Sequence, residues 1–225
     1  MPSRKIPLVT GEIYHVVNRG VGAIPIFANH RDYQRFTLTF RYYQNQKVPF
    51  QFSKFLGLPK EEKEKLFNRL QEEKDFLVEI IAYCLMPNHY HFLLRQKTDN
   101  GILNFIRLTT DSYSKYFNIK SKRKGSLFEG RFGAIRVENE TQLIHLARYI
   151  HLNPHSSFVI KTSKDLLAYP HSSLGEYLKP KGIGFCQKEL IYAYFKTPRE
   201  YREFVLNQAD YQRNLEIIKH QLLEK

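Results

Sequence analysis

The stretch from Phe76 to Arg95 limits the fold of this chain more than any other. Its first half, FLVEIIAYCLM (76–86), is apolar almost without interruption. A run of that length bounded by a turn signal suits a strand buried on both faces. Pro87-Asn88 is the turn signal, and HYHFLLR (89–95) reads as the returning strand of a hairpin.

The other elements arrange themselves around that hairpin. EIYHVVNR (12–19) alternates loosely and predicts a strand. Residues 30–46 predict a helix with Asn29 as its N-cap. Between 52 and 75 the composition changes. Pro59 opens KEEKEKLFNRLQEEK, a strongly charged helix with Leu66, Phe67 and Leu70 on one side, which reads as a surface insertion. Residues 101–118 carry Ile102, Phe105, Ile106, Tyr113, Tyr116 and Phe117 at helical spacing. A basic loop (120–126) follows, then a strand over 127–139 with a glycine-marked irregularity. A helix over 140–152 is expected to close at Pro154. Without the insertion and the last helix the order is βαββαβ. That is an α+β, ferredoxin-like core with an antiparallel sheet. Residues 1–179 are expected to form this unit, and 180–225 a helical C-terminal extension.

Charge narrows the class of partner. The chain of 225 residues has 35 Lys and Arg against 22 Asp and Glu, a formal charge of +13. A folded chain this basic usually meets a polyanion. Its 15 tyrosines and 17 phenylalanines suit stacking on unpaired bases, although most must fill the core. Cys84 and Cys186 are the only cysteines, too few for a disulfide framework or a cysteine-based zinc site. No apolar run suits a signal peptide or a membrane span. The expected location is cytoplasmic and nucleoid-associated, with no membrane partner.

Two small patterns carry the chemistry. His89 and His91 stand two apart in a predicted strand, so both imidazoles share one face, close enough to converge on an ion. Taken alone, such a pair also arises as a satisfied hydrogen-bonding pair. In the last core helix Leu143, Leu146, Ala147 and Ile150 form the apolar stripe. Tyr149 lies off that stripe, and Asn153 falls only about 40° from Tyr149 at 100° per residue. The phenol and the carboxamide therefore leave the same flank of the helix. A half-buried tyrosine beside a helix-ending asparagine would look the same in isolation.

Taken together these segments resemble a known family. MPNHYHFLL (86–94) resembles the His-hydrophobic-His motif of the HUH endonucleases, and RYIHLNP (148–154) the tyrosine helix of their single-tyrosine, IS200-like transposases. LFEGRF (127–132) and YPHSSLGEYL (169–178) are similar to segments of REP-associated tyrosine transposases. The resemblance spans roughly residues 10–180. It implies a metal-dependent endonuclease and strand transferase that cuts single-stranded DNA beside a hairpin. In that reading Tyr149 is the nucleophile that becomes joined to a 5′ phosphate. His89 and His91 hold Mg²⁺ or Mn²⁺, with Asn153 as third ligand. Two departures stand out. Tyr90 occupies the middle of the His motif, where an aliphatic residue is common, and should point away from the ion. Asn153 stands where many relatives have the longer glutamine.

The expected DNA contacts are Arg4 and Lys5 near the N-terminus and Lys120, Lys122, Arg123 and Lys124 in the basic loop. Arg131 and Arg136, on the strand before the tyrosine helix, are expected to hold phosphate near the site. Basic runs of this kind are also ordinary solvated surface. His145, one turn before Tyr149, is a candidate proton acceptor. The partner is expected to be single-stranded DNA with a hairpin or palindromic element, met by a monomer or homodimer. The alternatives are a hairpin-binding protein that no longer cuts, a hydrolase that uses water, and an RNA-binding protein.

Overall fold

Strand alternation decides how the sheet is covered. The computed structural model describes residues 7–179 and 184–214. Four strands form one antiparallel sheet: β1 (Ile13–Arg19), β2 (Val78–Met86), β3 (His89–Gln96) and β4 (Gly133–Arg136). Their order is β2-β3-β1-β4, with β1 and β3 in the middle. The βαββαβ order and its ferredoxin-like sheet therefore stand as expected.

Helices α1 (His30–Tyr43) and α4 (Gly101–Lys120) cover one face. Tyr14, Val16, Tyr90, Phe92 and Leu94 bury there, in register across β1 and β3. Phe36 of α1 stands 5.3 Å from Tyr90, and Phe105 of α4 stands 5.7 Å from Phe92, ring centre to ring centre. Tyr90 thus points away from the histidines beside it, as period-two geometry requires. Asn29 caps α1 by accepting from the Asp32 amide. Tyr113 and Phe117 are core residues, and the Tyr113 hydroxyl donates to the Ile26 carbonyl.

α5 (Glu140–Ser156) crosses the opposite face, capped by Asn139. It does not stop at Pro154, which lies inside the helix. The proline falls in the last turn, where its missing N–H removes only one hydrogen bond. The Ser157 amide donates to the Asn153 carbonyl, and Gln212 donates to the Tyr149 carbonyl and to Ser156. Burial of Asn153, His155 and Ser156 holds that turn in place.

Three further boundaries differ from expectation. The insertion is two helices, α2 (Phe52–Gly57) and α3 (Lys60–Glu73), around a separate apolar cluster of Tyr42, Tyr43, Phe52, Phe55 and Leu70. α1 stops at Tyr43 because the chain turns toward β2: the Gln44 carbonyl accepts from Leu77, and Asn45 bridges Phe76. β4 is short because residues 127–132 leave the ladder; there Phe128 bridges Gly20 and Glu129 donates to the Arg19 carbonyl.

β2 is buried along nearly its whole length although it is an edge strand. The segment YPHSSLGEYL explains this. It lies along the open edge of β2, with Leu85 donating to the His171 carbonyl and Ser173 to the Tyr83 carbonyl. The hydroxyls of Tyr169 and Tyr177 donate to the Leu85 and Ile81 carbonyls. A row of edge groups that would otherwise invite another strand is thereby closed. α6 (Leu174–Tyr177) belongs to this segment. α7 (Glu189–Tyr192) and α8 (Pro198–Leu206) follow, and their Ile191, Tyr201 and Val205 join the main core.

Gly101 opens α4 where the backbones of α4 and the entry to β2 come close. A Cβ there would lie 2.2 Å from the Leu77 carbonyl oxygen. Gly101→Ala is expected to cost about 2–3 kcal/mol through backbone displacement, measurable by urea unfolding.

Candidate active site

The face of the sheet opposite α1 and α4 carries His15, Val17 and Arg19 from β1 and His89 and His91 from β3. Register sets this: Val17 lies across from His91, and Arg19 across from His89. The rings of His89 and His91 are 4.9 Å apart, nearly perpendicular. α5 lays Tyr149 over them. Its ring centre is 5.7 Å from His91 and 6.0 Å from His15, edge-on to both. Asn153, one turn on, is buried beside His89, where it favours the protonated imidazole, and its Oδ1 accepts from the Ser157 hydroxyl. The expected tetrad of Tyr149, His89, His91 and Asn153 therefore meets in one place within one chain.

Both histidines are tethered at Nδ1. His89 Nδ1 is 2.7 Å from Asn88 Oδ1, and the Asn88 amide nitrogen donates to the Ala23 carbonyl. His91 Nδ1 is 2.9 Å from His15 Nε2. Burial lowers the pKa of His89, and the charge on Arg19 lowers it further, against the opposing bond from Asn153. Burial, then His89 and His15, hold His91 well below its ordinary value. Neutral imidazoles anchored at one nitrogen are what a metal site needs. Among the described residues no three His, Cys, Asp or Glu side chains converge as a metal site. The side chains of this face that could hold an ion are the two imidazoles and the Asn153 amide.

The basic residues fare differently. Arg4 and Lys5 lie outside the described residues. The Lys120 ammonium is held 2.5 and 2.6 Å from the two carboxylate oxygens of buried Asp32, so its charge is committed inside the protein. The Arg123 guanidinium donates to the Ser126 carbonyl and to Asn118, shaping its own loop. Lys122 and Lys124 are exposed. Arg131 is exposed and lines a cleft with Arg107, Thr110 and Phe128. Arg136 does not reach the site. It pairs across from Tyr14, so alternation puts it on the face away from the histidines, where it forms an ion pair with Glu12. His145 is also directed elsewhere, 2.6 Å from the Arg148 guanidinium and against Phe204.

Sequence reasoning missed two residues of this face, His15 and Arg19. Their signal was weak: both share the parity of Val17 in the first strand, but only the pairing of β1 with β3 brings them to His91 and His89.

The site is thus an antiparallel sheet bearing a His-x-His strand, crossed by a helix that presents a tyrosine and an amide. Residues 56–153 match the model of the family described as transposase, IS200-like. The matched segment contains His89, His91, Tyr149 and Asn153. Among solved structures, the fold is similar to that of a REP-associated tyrosine transposase bound to a REP hairpin, with a TM-score of 0.50 and 14% identity. The similarity covers 79% of this chain and 86% of that one. No curated protein matches the chain. Among the described residues no helix is long and apolar enough to cross a membrane.

Proposed function

We propose that this protein is a metal-dependent single-stranded DNA endonuclease and strand transferase that acts beside DNA hairpins through a phosphotyrosine intermediate. The observation that carries the reading is the placement of Tyr149 over the paired rings of His91 and His89, with Asn153 buried one turn on along the same helix. The hairpin as partner is supported by the similar fold of a transposase bound to one.

The chemistry follows from those side chains. Tyr149 oxygen forms a bond to phosphorus as the bond to the 3′ oxygen breaks. The phenolic proton leaves to solvent, and the departing 3′ oxygen takes one up. The 5′ phosphate stays on the tyrosine and the energy of the cut bond is kept for rejoining, which hydrolysis would discard. His89, His91 and Asn153 would hold a divalent ion, Mg²⁺ or Mn²⁺, which when bound offsets phosphate charge. Arg19, across from His89, is paired with Glu129 at 2.7 Å and would meet a phosphate oxygen by exchanging that carboxylate for it; Arg136 lies on the other face. Lys122, Lys124 and Arg131 remain candidates for backbone contacts, and their contribution should weaken with salt.

The test is a denaturing gel of the protein mixed with labelled hairpin-flanked single strands in Mn²⁺ or Mg²⁺. A label-bearing protein band that is lost in His89→Ala is expected. Retarded DNA in a native gel with no covalent band in either ion would favour a binding protein. Free 5′-phosphate product without an adduct would favour a hydrolase.

A further inference from the structure

We propose that His15 is a positioning residue that fixes the ring of His91 so that its Nε2 presents a lone pair to the site. The inference rests on the reading of His89 and His91 as ligands, and it concerns a residue upstream of the segment that matches the family model.

The geometry allows only two proton arrangements. His15 Nε2 and His91 Nδ1 are 2.9 Å apart, both rings are buried, and their planes lie within 15° of each other with centres 5.1 Å apart. One proton lies between the two nitrogens. If His15 donates it, the proton of neutral His91 sits on Nε2 and blocks that nitrogen. If His91 donates it, Nε2 of His91 carries a free lone pair. Only the second arrangement can bind an ion, and it requires His15 to be the acceptor.

The neighbouring histidine is built the same way. The Asn88 amide nitrogen donates to the Ala23 carbonyl, which turns Oδ1 toward His89 Nδ1. An amide oxygen can only accept, so His89 is fixed as the Nδ1–H form, with Nε2 unprotonated. Each histidine of the pair thus has its own acceptor behind it: Asn88 for one and His15 for the other. His15 is supplied by a strand 76 residues away, so the device depends on the β1–β3 register.

The experiment is a calorimetric titration of the full-length protein with Mn²⁺, for the wild type, His15→Ala, His15→Gln and His89→Ala. Thermal melting and hairpin binding in EDTA report whether each variant is folded. His15→Ala is expected to bind Mn²⁺ about 10- to 100-fold more weakly. His15→Gln, whose amide oxygen can accept from His91 Nδ1–H, should recover most of the loss. A folded His15→Ala that binds Mn²⁺ like the wild type, while His89→Ala does not bind, overturns the role of His15 alone. A wild type that binds no Mn²⁺ overturns the metal-site reading instead. If His15→Ala does not fold, ¹⁵N long-range correlation spectra of the wild type decide. His91 protonated at Nδ1 supports the proposal, and His91 protonated at Nε2 overturns it.

Discussion

Tyr149→Phe should abolish the covalent protein–DNA adduct and lower strand cleavage by at least about 10⁴-fold, the scale on which loss of a nucleophile is felt. The substitution removes one oxygen and leaves the ring. That ring still packs edge-on against His91 and His15, so the site should keep its shape. Hairpin affinity in EDTA is expected to stay within about twofold of wild type, a change well under 1 kcal/mol. Among the described residues the nearby phenols Tyr90 and Tyr201 are turned to other uses. Tyr90 faces α1 on the other side of the sheet, and the Tyr201 hydroxyl is engaged with His151. A gel that reads adduct and a native gel that reads binding separate the two effects. An undiminished adduct in Tyr149→Phe would place the nucleophile elsewhere.

The second large effect concerns the helix that carries Tyr149. His151 is fully buried on α5, with Nδ1 2.7 Å from the Tyr201 hydroxyl and Nε2 2.8 Å from the Ser173 hydroxyl. The ring of Tyr177 is also against it, and each of these neighbours is neutral. The imidazole therefore ties α5 both to the segment along β2 and to α8. Burial pushes its pKa down to about 3. An unfolded chain takes up the proton near pH 6.5. Between those values the unfolded state binds more protons, so stability is full above about pH 6.5 and is lost as pH falls toward 3. At pH 4.5 this one group should cost about 2.5 kcal/mol. His171, lowered to about 4 by burial and then by His30, acts in the same direction.

His151→Gln provides the check. At pH 7.5 it should be less stable than wild type by about 2 kcal/mol, because the paired hydroxyls lose well-placed partners. Glutamine does not titrate, so the two proteins should converge in urea unfolding at pH 4.5. A gap that stays constant from pH 7.5 to 4.5 would show that His151 takes up its proton equally in the folded and unfolded states.

Much of this protein follows from local pattern. The apolar run at 76–86, the turn at Pro87-Asn88 and the alternation after it are enough to predict the hairpin and to put His89 and His91 on one face. Helical periodicity is enough to send Tyr149 and Asn153 from one flank. Asn29 signals a helix start because its side chain meets an orphan amide a few residues away. In each case the partners lie within a few residues, where backbone geometry leaves few choices.

Contacts between distant segments were decided by the tertiary structure alone. Pairing β1 with β3 placed His15 behind His91, and pairing β1 with β4 turned Arg136 away from the site. Packing α4 against α1 brought Lys120 onto buried Asp32, and the C-terminal segment carried α5 past Pro154. Periodicity says which side of an element a residue occupies. Which elements then face one another is settled by the burial of the whole sheet, a collective term that no short window of sequence contains.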